Sequence, residues 1–401
     1  YEYDKNGKLL KETDAKENVR SYSYDALKRL IRLTEPSPDG TLPAPVTNYE
    51  YDALDNLSKI KHSNGNETTY EYDDFGNLLK TVSPDTGVTV YQYDSAGNIL
   101  SRTDANGNTI TYTYDALNRL THIHFPDSAQ DITYTHDEGT NGKGRLTGIT
   151  DPSGIYAFMY DTYGNLIKQE KIVRGNTYVI EYSYDRSGNL LSMTYPDGLI
   201  VHYGLDDMGK VVLVRVTRNG EDRVIASGIE YMPFGPMKGL RLGNGISLAK
   251  SFDQAYRITS IRAGSVEELS YSYDALSNIT SIQNNLDSGL DQSFSYDNLN
   301  RLIRAEGIYG TIDYAYDAVG NRLSKTIDGA TDTYSYFAGT NRISEITGGS
   351  SVSFSYDNNG NTTAIGTKRF TYNQNDRLIR ASENSLTLGE YTYNAFGQRI
   401  V

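Results

Sequence analysis

Aromatic and polar residues alternate along this chain in a phrase that recurs many times. Two aromatic residues flank one polar residue, as in Tyr70-Glu71-Tyr72, and an aspartate follows. Alternation with period two places both rings on one face of a strand and the polar residue on the other. After a short spacer, Leu or Ile begins a second apolar run. Each unit therefore reads as a β-hairpin, and no segment has a sustained apolar period of 3.6 residues, so we predict an all-β fold class.

The spacing of the phrase predicts a tandem repeat. We count 16 copies, and Asp52, Asp73, Asp94 and Asp115 follow one another at intervals of 21 residues. Such a period indicates one supersecondary unit stacked repeatedly, so we interpret 1–401 as one continuous repeat domain. Two stretches depart from the phrase. Residues 137–150 are Gly-rich and predict a longer loop, whereas 225–247 lose the Tyr–Asp phrase and carry prolines that disfavour a central strand.

The aspartate is best explained by turn geometry. The residue three positions later is Gly in eight of the 16 copies, Asn in two and Asp in two. These are the residues that best tolerate positive φ. An aspartate at the first turn position accepts the backbone N–H two residues on. Asn373 and Asn394 replace it in two copies, which preserves that bond and removes the charge. The predicted structural turn residues are Asp25, Asp73, Gly76, Asp94, Gly97, Asp115, Asp185, Gly188, Asp317 and Gly320.

The paired tyrosines predict an aromatic ladder across neighbouring hairpins. A phenol tip can reach water or a carbonyl while its ring is buried. The alternative is a surface on which sugar rings stack. The ladder residues that we predict are Tyr70, Tyr72, Tyr91, Tyr93, Tyr112, Tyr114, Tyr182 and Tyr184.

Composition narrows the function classes. The net charge is −13, so a nucleic-acid partner is not expected, and no apolar run is long enough for a membrane helix. The chain has no Cys, which rules out disulfides and thiol chemistry. No nucleophile elbow, phosphate loop or dinucleotide fingerprint is present. We therefore expect no catalytic residue, no cofactor and no enzymatic activity.

Two features of the sequence could offer metal ligands. The sequence contains neither an EF-hand loop nor a Gly-Asp nonapeptide, so it gives no support for calcium binding by the repeat aspartates. His122 and His124 lie two apart, so on a strand they share a face, but a pair does not complete a zinc site. We expect them to be exposed strand residues and expect no metal site. His136 occupies the second aromatic position of its copy, where we expect it to replace a ladder tyrosine.

The phrase Y-x-Y-D-x-x-G-[NR]-L, seen in "YQYDSAGNIL" and "YTYDALNRL", resembles the YD repeat of the RHS family. The resemblance covers essentially the whole chain. It implies tandem β-hairpin repeats that form a spiralling β-sheet ribbon, part of a hollow shell. In bacterial members that shell commonly encloses a toxic C-terminal polypeptide. The family's self-cleaving aspartates belong to a segment that would follow "FGQRIV", so no catalytic residue is transferred.

The resemblance implies a structural scaffold: a shell segment of a bacterial protein, secreted or at the cell surface, that encloses or presents a polypeptide of the same chain. Because the sequence opens at Tyr1 in mid-phrase, we expect it to be a piece of a longer protein. The alternatives are an adhesion module that binds a glycan or a cell-surface receptor, and a self-assembling extracellular fibre.

Overall fold

A computed structural model describes residues 1–349 and 351–400 of the chain. Within these residues 37 strands follow one another, with two single 3-10 turns at Ser128–Gln130 and Ser288–Leu290. None of the helices in this described part is long and apolar enough to cross a membrane. The all-β prediction is confirmed.

The strands of the first half are β1 Glu2–Tyr3, β2 Leu9–Thr13, β3 Val19–Tyr24, β4 Leu30–Thr34, β5 Val46–Tyr51, β6 Leu57–Lys61, β7 Glu67–Tyr72, β8 Leu78–Ser83, β9 Gly87–Tyr93, β10 Ile99–Thr103, β11 Thr109–Tyr114, β12 Leu120–His124, β13 Ile132–His136, β14 Leu146–Asp151, β15 Gly154–Tyr160, β16 Leu166–Val173, β17 Asn176–Tyr184, β18 Leu190–Thr194 and β19 Ile200–Leu205.

The strands of the second half are β20 Val211–Arg218, β21 Glu221–Tyr231, β22 Met237–Leu242, β23 Ser247–Phe252, β24 Ile258–Ala263, β25 Glu267–Tyr273, β26 Ile279–Asn284, β27 Gln292–Tyr296, β28 Leu302–Gly307, β29 Gly310–Tyr316, β30 Arg322–Ile327, β31 Ala330–Tyr336, β32 Ile343–Thr347, β33 Val352–Tyr356, β34 Thr362–Ile365, β35 Lys368–Tyr372, β36 Leu378–Glu383 and β37 Leu386–Glu390.

Strands adjacent in the chain pair with each other in antiparallel register. In the hairpin of β7 and β8, Tyr70 faces Thr81 and Glu71 faces Lys80, and the register then shifts so that Tyr72 faces Leu78. The same shift occurs at the second aromatic position of many other hairpins, for example in β3–β4, β5–β6 and β17–β18. This shift is a β-bulge. It is expected where a tight turn is followed by one extra residue whose backbone is in the left-handed region.

The chain divides into two compact units. Unit 1 comprises 1–112, 272–281 and 289–391; unit 2 comprises 113–271, 282–288 and 392–401. Most apolar strand residues in both units are half-buried. The large side chains buried almost completely are Ile110, Ile149 and Tyr156.

Unit 1 is held together by turns that are far apart in sequence. The Asn341 side chain and backbone N–H donate to both oxygens of Asp85 at 2.7 and 2.6 Å. Asn359 donates to Asp104 Oδ2 at 2.9 Å, and its own side-chain oxygen accepts the Asn106 N–H. We call this set, Asp85, Asp104, Asn106, Asn341 and Asn359, the lateral seam.

Unit 2 has its own long-range contact. The Ala395 N–H donates to Asp151 Oδ2 at 2.6 Å, and the Phe396 ring meets the Tyr156 ring edge-on with centroids 6.4 Å apart. Asp151 is buried, and its other oxygen accepts from the Ser153 N–H and hydroxyl. A buried carboxylate is tolerated here because both oxygens have hydrogen-bond donors.

The two irregular stretches are more regular than the sequence indicated. The loop after β13 covers only 137–145, and Leu146 already begins β14, so the predicted loop of 137–150 was too long. Within 225–247, β21 and β22 form an antiparallel hairpin, with Pro233 and Pro236 confined to its turn. Its register shifts twice, between Ser227 and Glu230 and again before Tyr231. Met232 takes the position of the aspartate, and the backbone closes in the same way: Met232 N–H donates to the Pro236 carbonyl and Gly235 N–H to the Met232 carbonyl.

Candidate functional site

The turns after the tyrosine pairs share one hydrogen-bond pattern. In the turn of β7 and β8, Asp73 N–H donates to the Asn77 carbonyl, and Gly76 N–H donates to the Asp73 carbonyl. Asp73 Oδ1 accepts from the N–H of Phe75 and of Asn77, at 2.9 and 2.8 Å. Asp73 Oδ2 accepts from the Asn77 side chain at 2.9 Å. One carboxylate therefore serves three donors.

The structure places every predicted turn residue in this arrangement. Gly76, Gly97, Gly188 and Gly320 have φ values of 82°, 84°, 83° and 96°. The N–H groups two and four residues on donate to Oδ1 of each predicted aspartate, Asp25, Asp73, Asp94, Asp115, Asp185 and Asp317. The carboxylates of these aspartates already accept the hydrogen bonds that hold the turn backbone. Little of their hydrogen-bonding capacity is therefore left for a catalytic role.

The hydrogen bonds change the acidity of the turn carboxylates. The Asn77 side chain, with the backbone donors of the turn, lowers the pKa of Asp73 below its ordinary value. In Asp115 the backbone N–H and the guanidinium of Arg119 have the same effect on the pKa. Donors that stabilise the ionised form always act in this direction. Asp73 and Asp115 are therefore charged at neutral pH.

The residue four positions after the aspartate connects one turn to the next. Arg119 bonds its own Asp115 and reaches Asp137 of the following turn at 2.5 Å. Arg29 joins Asp25 to Asp55 in the same way, at 2.7 Å to each. These bonds explain the arginines at this position, a role that sequence reasoning missed. The signal was present in the [NR] of the phrase, but its partner lies in another repeat.

The predicted ladder tyrosines are all half-buried, neither exposed as a sugar platform nor enclosed. The hydroxyl of the second tyrosine joins neighbouring repeats in many of the pairs. Tyr93 donates to the Leu78 carbonyl and Tyr184 to the Leu166 carbonyl, both at 2.9 Å. The same bond, from the second tyrosine to the first residue of a strand in the preceding repeat, recurs at Tyr24, Tyr51, Tyr160, Tyr231, Tyr296, Tyr316, Tyr336 and Tyr372.

Arginines of the turns also cover these rings. The guanidinium carbons of Arg29 and Arg301 lie 4.8 and 4.9 Å from the ring centroids of Tyr51 and Tyr316, which belong to the next repeat. A cation over an aromatic face adds to the stability of such a contact.

His136 stands at the end of β13 in the second aromatic position, and its Nδ1 is buried without a hydrogen-bond partner in the described part of the chain.

One cluster of metal-binding groups occurs among residues 1–349 and 351–400. His122, His124 and Asp131 each offer one ligand atom, all within 4.8 Å of one another. Both histidines lie on β12 as predicted, but only His124 is exposed, whereas His122 is half-buried. The sequence prediction also missed Asp131. The aspartate belongs to no repeat phrase, and only the fold of the β12–β13 connection brings it to the pair.

Comparison with protein families agrees with the repeat. The family model described as RHS Repeat matches residues 3–42, 51–88, 93–130, 160–200 and 184–222, and that described as Teneurin YD-shell matches 243–401. Between them the two models cover most of the chain. The chain belongs to the RHS/YD-repeat family. The resemblance inferred from the phrase is confirmed.

Solved structures share the fold. A chain of the Tc holotoxin pore of Photorhabdus luminescens matches with a TM-score of 0.84 and 18% identity over 99% of this chain. A chain of the TcdB2–TccC3 complex gives 0.79, and so does a form of it without its hypervariable C-terminal region, both at 18% identity over 99% of this chain. This chain spans only about a quarter of those chains, 25% to 26%. No curated protein matches the sequence significantly.

Proposed function

We propose that this chain is part of the wall of a secreted or cell-surface shell that encloses a polypeptide of the same gene product, such as a toxin. The observation that carries the proposal is the likeness to the Tc holotoxin chain, with a TM-score of 0.84 over 99% of this chain. The family models, one of them named for a shell, support the same role.

The internal bonding suits a wall. Successive hairpins are joined through backbone ladders such as that of β8 and β9, through tyrosine hydroxyls such as that of Tyr93, and through turn residues such as Arg119. These contacts use backbone and side-chain groups that a reactive site would need free. We therefore propose a structural and non-catalytic role.

The turn tips add a second support. Leu54, Phe75 and Leu117, each two residues after a turn aspartate, are 58%, 92% and 70% exposed. In unit 1 the corresponding Leu299 is half-buried, and its neighbour Asn298 donates from its N–H and side chain to the carbonyls of Pro38 and Ser37. A turn edge of this protein can therefore pack against another stretch of wall, and exposed apolar tips favour such packing.

Protease protection of the complete gene product tests enclosure. We expect the polypeptide that follows the repeats to resist a protease concentration that digests the same polypeptide expressed alone. A matched sample, unfolded in denaturant before digestion, should lose the protection. Digestion of the following polypeptide at equal rates in the complete product and alone would contradict enclosure.

A further inference from the structure

The connection between β12 and β13 in unit 2 brings three metal-ligand side chains to one place. His122 and His124 are two apart on β12 and share a face, and their rings stack with centroids 3.8 Å apart. The turn at Ser128–Gln130, capped by Asp127, redirects the chain so that Asp131 stands immediately before β13. The carboxylate thereby reaches the two rings.

The distances suit a tetrahedral ion. Asp131 Oδ2 lies 3.1 Å from His124 Nδ1 and 3.6 Å from His122 Nε2. A zinc ion with bonds of about 2.0–2.1 Å places its ligand atoms about 3.3 Å apart along a tetrahedral edge. The two carboxylate–imidazole separations bracket that value, and the two imidazole nitrogens lie within 4.8 Å of each other. Because an imidazole lone pair lies in the ring plane, the half-exposed His124 ring must turn out of its stack on His122 to bind the same ion. Two imidazoles and one carboxylate are a ligand set that zinc accepts, with one position left for water.

The ligands are themselves held in position. His122 Nδ1 lies 3.2 Å from the hydroxyl of Thr133, its cross-strand partner, and Asp131 Oδ1 accepts the N–H of the buried Phe125 at 2.8 Å. When His122 Nδ1 carries the proton, the lone pair of Nε2 faces the cluster. Bonds of this kind orient first ligands in metal sites.

One ligand atom has no other use in the structure. His122 Nε2 is buried and makes no hydrogen bond to any described residue, with Asp131 Oδ2 at 3.6 Å, beyond hydrogen-bond length. A buried polar atom without a partner is rare and calls for an explanation. A bound cation between His122, His124 and Asp131 would supply its partner.

We propose that His122, His124 and Asp131 bind one Zn²⁺ ion at a half-buried site beside β12, with a fourth position open to water. Zinc is preferred over magnesium and calcium because imidazole ligands suit borderline transition metals, whereas those two ions select oxygen ligands. The site clamps the irregular connection between two strands of the wall.

Calorimetric titration of tag-free, chelator-treated protein with zinc chloride at neutral pH tests the site. We expect one equivalent of zinc to bind. His124→Ala should weaken binding at least tenfold or abolish it, and it should fold normally because the His124 side chain is 48% exposed. His62→Ala, at an exposed histidine outside the cluster, is the matched control and should bind as the parent does.

A second variant separates a built site from chance binding to two histidines. Thr133→Val keeps all three ligands and removes the hydroxyl that orients His122, so zinc affinity should fall by about 10- to 100-fold. Zinc should also raise the melting temperature of the parent and leave that of His124→Ala unchanged. Absence of zinc binding, or equal binding by the parent and His124→Ala, would overturn the proposal.

Discussion

The turn aspartate acts by accepting hydrogen bonds, and its charge is secondary. Asn373 makes the two backbone bonds of the pattern, from the N–H groups of Asn375 and Arg377 at 3.0 and 2.9 Å. Met232 closes the same backbone turn with no carboxylate at all. The sequence predicted the bond two residues on, because that geometry is local. It did not predict the bonds four residues on, since these depend on how the chain returns after the bulge.

Substitution at Asp297 tests this role. The buried Asp297 accepts from the N–H groups of Leu299 and Arg301 and from the Arg301 side chain at 2.6 Å. Asp297→Ala should reduce the free energy of unfolding by about 2 kcal/mol, because it removes bonds to a charged acceptor and leaves a half-buried guanidinium without its carboxylate. Urea denaturation measures the change in the free energy of unfolding, and hydrogen exchange of residues 298–301 reports on the turn itself.

The control for that experiment is Asp297→Asn. It recreates the combination that Asn373 and Arg377 already form in this chain, so it should cost less than half as much. Equal losses for the two variants would show that the charge itself matters and would contradict a turn role.

At the scale of the element, one hairpin depends on its neighbours through side chains. In many pairs the second tyrosine donates to a backbone carbonyl of the preceding repeat, so its hydroxyl contributes to the contact as well as its ring. The alternating pattern predicted which face each tyrosine occupies. The carbonyl that it reaches could not be predicted, because the register shift at Tyr72 and Leu78, and its equivalents, sets that distance.

Tyr93→Phe isolates the hydroxyl. The ring remains, and the bond to the Leu78 carbonyl is lost, so the free energy of unfolding should fall by about 1 kcal/mol. Tyr91→Phe is the matched control, two residues earlier on β9, because the Tyr91 hydroxyl makes no hydrogen bond within the described residues. Thermal denaturation of both variants provides the comparison. A similar loss of unfolding free energy in Tyr93→Phe and Tyr91→Phe would indicate that the phenol hydroxyls act only through their solvation.

At the scale of the molecule, stability depends on contacts that no local pattern reveals. Lys16 Nζ lies 2.5 Å from Asp274 Oδ2 within unit 1, and the lateral seam pairs residues more than 250 positions apart. The repeat predicted many similar turns. Nothing in the repeated phrase shows which of these turns contact each other in the lateral seam. Fold class followed from periodicity, whereas the seam and the Asp131 cluster required the path of the chain.

The Lys16–Asp274 pair predicts a response to acid. Partial burial acts to raise the pKa of Asp274, but Lys16 and Asn278 outweigh it and hold the pKa at about 2. The unfolded carboxyl has a pKa of about 3.9, so its contribution is complete above that pH and is lost as pH falls towards 2. Lys16→Met should therefore lower the urea midpoint at neutral pH, and the difference from the parent should shrink below pH 4.

One result would contradict the electrostatic role of the Lys16–Asp274 pair. A difference between Lys16→Met and the parent that stays constant from neutral pH to the acid limit would mean that the Lys16 stem, and not its charge, stabilises the contact. Lys5→Met is the control, at an exposed lysine of the same terminal region.

The lateral seam also constrains how this chain reaches its fold. Hairpins form from residues close in sequence, but Asn341 cannot meet Asp85 until 256 further residues have left the ribosome. Folding of unit 1 therefore combines fast local steps with a late closure of very high contact order, which slows the overall reaction. Until closure, the early hairpins keep open edges and exposed tips such as Phe75, so the interval of synthesis is when this protein is most prone to aggregate.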